Sequence, residues 1–192
     1  MKITFEKMVI FPRYLYHRVI RGISDYLGSL PVKKYSHSSG IIRRFEDDDL
    51  GSVLEIYEKG FGNKNVKQII QYSQLFRNSF YVYELDNVVV GYLGFYVHFG
   101  CNRFKCVQNA TAFSGAVEGQ AQGKGIFTTL YVESLSELKR NGVQAVYGFI
   151  DVNNERSLSI HKKLGYNIVQ KVNKICGVED CYMVELILSD PK

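Results

Sequence analysis

Three groups of residues in this sequence have types and spacings that could do chemistry. The first is the turn Ala116-Val117-Glu118-Gly119-Gln120-Ala121-Gln122-Gly123-Lys124-Gly125-Ile126-Phe127, between a strand-like run and a helical pattern. Free N–H groups at a helix start attract anions, and glycines let a phosphate come close to the backbone. The turn therefore reads as a phosphate binder. It is not a P-loop, because only three residues separate Gly119 from Gly123. It is not the dinucleotide fingerprint either, because Thr128 stands where the third glycine belongs. Lys124 adds charge there, although a solvated lysine is its plain reading. The second group is Asn154, Ser157 and His161, whose offsets place them on one helix stripe facing a common ligand. The third is two C-x4-C pairs, Cys101/Cys106 and Cys176/Cys181. They read either as a four-thiolate zinc site or as two hairpins holding reduced cysteines. The wide spacing favours the hairpins.

The elements that must hold these residues follow from periodicity. Pro12 to Leu30 predicts an amphipathic helix with a stripe of Leu15, Val19, Ile23, Leu27 and Leu30. A polar linker, Lys33 to Gly40, follows it. Ile41 to Phe45 predicts a strand. Asp49 and Asn65 are each placed to cap a helix. Phe80 to Leu85 and Val88 to Phe99 predict a hairpin about Asp86-Asn87. Further strands are expected over Val107–Val117 and Val146–Val152, with a helix over Gly123–Arg140 between them. Asn154 to Leu164 predicts a last helix, and Tyr166–Val172 with Tyr182–Leu188 a last hairpin. The order predicts an α/β fold with mostly antiparallel strands and one β-α-β crossover.

Composition narrows the function classes. The chain has 192 residues, 46% hydrophobic and 22% charged, which excludes a disordered or low-complexity protein. No stretch approaches the roughly 20 apolar residues of a membrane span. Glu6 and Lys7 interrupt any leader-like run, so a cytoplasmic location is expected. The net charge of +5 lies wholly in residues 1–40, and the remainder is neutral. A neutral core gives no footprint for nucleic acid. Residues 1–40 thus read as a basic amphipathic helical extension and linker, and residues 41–192 as the working domain.

Gln122-Gly123-Lys124-Gly125-Ile126-Phe127 resembles the Q/R-x-x-G-x-G/A acyl-CoA pyrophosphate loop of the GNAT N-acetyltransferase family. It departs only at Phe127, where a small residue is usual. Asn154-x-x-Ser157-x-x-x-His161-x-x-x-Gly165-Tyr166 is similar to the family's later motif. The resemblance covers about residues 41–188. It implies a mixed, mostly antiparallel sheet of about seven strands flanked by helices, with the N-terminal helical extension outside it. It implies transfer of an acetyl or other short acyl group from CoA to a primary amine by direct attack in a ternary complex, with acyl-CoA as co-substrate and no metal. The fourth and fifth strands are expected to splay at Val117. Ala116 and Val117 would bind the pantetheine through their backbones. Gln122, Gly123, Lys124, Gly125, Ile126 and Phe127 would hold the pyrophosphate, and Asn154 and Ser157 would flank the thiol. His161 stands where many members carry a tyrosine that protonates the leaving thiolate. Phe149, Asn109 and Thr111 occupy the places of known general bases and cannot serve. Glu118 and His98 are the remaining candidates, with Asp151 behind them.

The neutral core and basic extension suggest an acceptor bearing a negative group. Fourteen tyrosines and twelve phenylalanines offer stacking surfaces. An amino sugar, including a nucleotide-linked one, is the expected acceptor, ahead of amino acids, small amines and protein N-termini. A non-catalytic acyl-CoA sensor is the alternative of another class. The expected partner is a small-molecule amine, with neither nucleic acid nor a membrane. A homodimer through the N-terminal helix or the sheet is left open.

Overall fold

The computed structural model describes residues 19, 21–23, 25–30, 42–102, 105–175 and 178–188. The expected helix over Pro12–Leu30 lies only partly within them. One seven-stranded sheet runs in the order β1-β2-β3-β4-β5-β7-β6. Its strands are β1 (Ile42–Arg44), β2 (Phe80–Leu85), β3 (Val88–Asn102), β4 (Lys105–Val117), β5 (Ala145–Asp151), β6 (Asn167–Ile175) and β7 (Val178–Ile187). Every pairing is antiparallel except β4 with β5, which the crossover helix joins. The helices are α1 (Leu50–Phe61), α2 (Val66–Leu75), α3 (Ile126–Arg140) and α4 (Glu155–Lys163).

Alternation along the central strands gives the sheet two apolar faces. Leu93, Phe95, Val97 and Ala110 meet Leu130, Tyr131, Leu135 and Leu138 of α3 on one face. Phe80, Val82 and Tyr92 meet Val53, Ile56, Tyr57 and Ile69 of α1 and α2 on the other. Asp86 and Asn87 both adopt positive φ (51° and 63°), as a two-residue turn of the primed type requires. β1 is short, and ion pairs from Arg43 and Arg44 secure it. Arg43 grips Asp49 through two bonds of 2.7 and 2.8 Å and Glu84 through a third of 2.8 Å. Arg44 reaches across to Glu137, a fully buried carboxylate on α3.

Two expected caps are built differently. The Asp49 carboxylate is taken by Arg43 and by the Glu46 N–H at 2.8 Å, so it does not cap α1. Asn65 sits in the left-handed region (φ 62°) and makes no side-chain cap to α2. The helical residues before 30 rest on β3 through Gly28 rather than through the apolar stripe. A Cβ at Gly28 would lie 2.2 Å from Val97 O and 2.5 Å from His98 Cα. Val19, Ile23, Leu27 and Leu30 stay about half exposed. No helix among the described residues is long and apolar enough to cross a membrane.

Candidate active site

β4 and β5 pair at only three steps, from Asn109↔Ala145 to Thr111↔Tyr147. Beyond Thr111 they part, six residues before Val117, the expected point. A β-bulge is the cause. Gly94 pairs with Ser114 but Phe95 with Ala112, which leaves Phe113 as an extra residue on β4. Bulges bend and twist a strand. β5 meanwhile keeps β7 as its partner to Asp151. The result is a wedge whose vertex is the Thr111–Tyr147 step.

The peptide groups along β4 alternate between its neighbours. Glu118 N–H donates to Val90 O on β3 at 2.9 Å, so Ala116 also turns its peptide group to β3. Gly115 and Val117 turn theirs into the wedge. Of Ala116 and Val117, expected together, only Val117 presents its backbone there. Gly115 takes the second place.

The glycine turn stands at the open end of the wedge. Gly123 and Gly125 both have φ of +78°, with open space where a side chain would project. Gly125 precedes α3 and no side chain caps it. The helix's first N–H groups, at Ile126 and Phe127, therefore lack intrahelical partners. Gln122 braces the turn. Its Nε2 donates to Val117 O at 3.0 Å, and its Oε1 accepts from Arg156 Nη1 at 2.8 Å. Lys124 is exposed beside it. Phe127 turns inward, its ring 5.3 Å from that of Tyr131 and against Gly115, where a Cβ would meet it at 3.1 Å. The missing small residue on the helix is thus matched by a missing side chain on the strand. An open hollow of about 460 Å³, lined by Asp151, Asn153, Asn154, Glu155 and Arg156, lies where β5 passes into α4. Arg156 escaped the sequence reading because only the fold brings it to Gln122.

α4 starts with a cap, Asn154 Oδ1 accepting from Ser157 N–H at 3.0 Å. One turn on, His161 points into the core, 5% exposed. Its Nδ1 lies 2.8 Å from Ser157 O, and its Nε2 2.9 Å from Tyr131 Oη. A carbonyl only accepts, so Nδ1 carries the proton and Nε2 accepts from the tyrosine. Burial holds the His161 pKa below its ordinary value, so the ring is neutral at pH 7. Burial likewise pushes the Tyr131 hydroxyl well above its usual range.

The three residues considered for proton transfer are not brought together. Glu118 lies past the end of β4, with Lys59 Nζ at 3.9 Å. His98 lies on β3, its Nε2 3.1 Å from Thr111 Oγ1 at the vertex. Burial, then the charge of Arg21, lowers its pKa. Asp151 Oδ1 accepts from Asn153 N–H at 2.8 Å, a loop contact.

Sequence reading missed one further row. Tyr96, Thr111, Tyr147, Glu185 and Asn167 are paired in register across five strands and share one face. The Tyr147 hydroxyl is pushed up to about 12 by burial, by its hydrogen bond to Glu185 and by that carboxylate's charge. The strand alternation Val184, Glu185, Leu186, with Glu185 on the opposite face, was the available signal.

Cys101 and Cys106 sit on the β3–β4 hairpin and Cys181 on β7, at opposite ends of the sheet, and Cys176 lies outside the described residues. The β3–β4 tip lies before the start of β5, and Cys181 pairs with Asp151 at its end. Among the described residues no group of three or more metal-ligating side chains converges.

A sheet parted beneath an uncapped glycine turn is the framework of an acyl-CoA-dependent transferase. The model of the acetyltransferase (GNAT) family matches residues 50–166, and the chain belongs to that family. It is an acyl-CoA-dependent N-acyltransferase. Ard1 from Thermoplasma volcanium is similar in structure, with a TM-score of 0.67, 21% identity, and 78% of this chain and 97% of that one covered. The ribosomal-protein-S18-alanine N-acetyltransferase from Escherichia coli gives 0.62 at 17% identity, covering 79% and 95%. The NatC complex bound to Gag peptide and CoA gives 0.67 at 12% identity, covering 78% and 98%. A comparison with curated proteins gives no significant match.

Proposed function

We propose that this protein transfers an acetyl or other short acyl group from CoA to the α-amino group of a peptide or protein. The observation that carries this is the parting of β4 from β5 beneath the glycine turn. The pyrophosphate meets the N–H groups from Gly123 to Phe127, with Lys124 and Arg156 supplying charge. The pantetheine runs down the wedge along Gly115 and Val117, past Asn154 and Ser157. A β4 N–H in the wedge holds the oxyanion as the amine attacks, a role worth roughly 3–4 kcal/mol per donor in other acyl-transfer enzymes. His161 fixes Tyr131 and the floor of the wedge in this reading, since both its nitrogens have internal partners. Proton donation to the departing thiolate then falls to water.

The peptide acceptor is favoured by the neighbours that name one, a ribosomal-protein alanine acetyltransferase and a complex with a bound peptide. The amino sugar expected from charge has no support among them. The test is in two stages. Thermal unfolding with acetyl-CoA should rise by several degrees, and ATP should leave it unchanged. Thiol release is then compared between peptides with free N-termini, the same peptides N-blocked, and glucosamine. Turnover with the free peptides alone supports the reading, and turnover with glucosamine alone replaces the acceptor.

A further inference from the structure

The transfer reading leaves the acceptor's proton without a destination, because the places expected to hold a base carry Phe149, Asn109 and Thr111. The face of the sheet at the wedge vertex offers one. Thr111 and Tyr147 are the last paired step of β4 and β5, and Glu185 of β7 is the next residue in that row. Strands lie about 4.8 Å apart, so the Glu185 backbone is roughly 10 Å from β4, with Tyr147 between. This carboxylate is half-buried and, among the described residues, takes no part in the ion pairs that tie the elements together. The flanking rows are apolar, the exposed Phe149 beside the half-buried Met183 and the exposed Ile187 beside the buried Ala145. An aromatic face next to a carboxylate, ringed by apolar surface, suits an ammonium carried on an organic chain.

Resting on the proposed transfer to an amine, we infer that Glu185 receives the acceptor's ammonium group over Tyr147 and takes up its proton. The ammonium gives one proton to the carboxylate. The freed lone pair forms the C–N bond at the thioester carbon, and the C–S electron pair leaves with sulfur. The nitrogen's second proton passes through water to that thiolate, giving CoA thiol, and Glu185 returns its own to water. Among the described residues the groups facing Glu185 are few. Tyr147 faces it from β5 and the uncharged Asn167 from β6. Further along the row lie Thr111, with His98 bonded to it, and Tyr96, which accepts from Arg21 at 3.2 Å.

The test is Glu185→Gln, with Glu185→Asp beside it, using acetyl-CoA and a peptide with a free α-amino group. Without the base the enzyme must capture the neutral amine. An α-amino group near pKa 8 is about one-tenth neutral at pH 7. E185Q should therefore lose tenfold or more in kcat/KM at pH 7 and return to within a few-fold of wild type at pH 9. E185D should keep the wild-type profile at reduced rate. Acetyl-CoA should stabilise both variants as much as wild type, which shows that fold and cofactor site are intact. An E185Q profile parallel to wild type at every pH overturns the assignment. A wild type that binds acetyl-CoA but acetylates no primary amine overturns the transfer reading, and this assignment with it. A wild type that does not bind acetyl-CoA overturns the cofactor site, and with it both the transfer reading and this assignment.

Discussion

The two ends of the β4–β5 wedge are made of different material. The open end, at the glycine turn, is backbone: N–H groups, positive-φ glycines and one bracing glutamine. The vertex is side chains drawn from β3, β4, β5 and β7. A backbone site meets a feature shared by every acyl-CoA, its phosphates. A side-chain site is free to differ from one acceptor to another. Cofactor binding and acceptor choice should thus separate under mutation.

The largest effect is expected at the open end. Gly125→Val puts a branched side chain at φ +78°, a strain of about 1–2 kcal/mol, and blocks the phosphate's approach. Acetyl-CoA affinity should fall by about a hundredfold or more by calorimetry. A G125V protein that still binds well would mean that side chains hold the cofactor, and the contrast would collapse.

The second prediction concerns two histidines, the buried His161 and the half-buried His98 at the vertex. His161 and His98 have folded pKa values below 6.5, so below that pH the unfolded chain binds more protons than the folded one. Their stabilising share is full above pH 6.5 and is lost as pH falls through the lower folded values. Each histidine should cost up to about 1.4 kcal/mol per pH unit across that window. Urea titrations of wild type and His161→Gln at pH 7.5 and 5.5 check this, and the variant should show the shallower pH dependence.

Third, Gln122→Ala removes the brace between Val117 and Arg156. Loss of hydrogen bonds worth about 1 kcal/mol should weaken acetyl-CoA binding about fivefold and leave the acceptor KM unchanged. A change in acceptor KM instead would show that the two ends communicate. The smallest effect belongs to Lys124→Ala, about twofold in acetyl-CoA affinity and confined to low salt, because the lysine is exposed.

What could be read from the sequence was what neighbouring residues decide. The glycine turn and the Asp86-Asn87 hairpin each lie within a few residues, and both stand where expected. The failures are long-range. Asp49 looked like a cap until Arg43 claimed its carboxylate. His161 looked open to a ligand until α3 brought Tyr131, thirty positions away, onto its Nε2. Glu185 met Tyr147 only through the β5–β7 register, which no local pattern encodes. The parting point of the wedge depends on a bulge at Phe113, visible only once β3 and β4 are aligned.

The exchange of bulk between Phe127 and Gly115 has a consequence for descent. Restoring a small residue at 127 alone would leave a void above Gly115. Adding a methyl at 115 alone would press on Phe127 and on Leu93, whose Cδ1 would lie 2.7 Å away. Either single step goes downhill, so a lineage that has made both changes is held there as by a ratchet. Related chains should then fall into two populations, large at 127 with glycine at 115 or the reverse, with few intermediates.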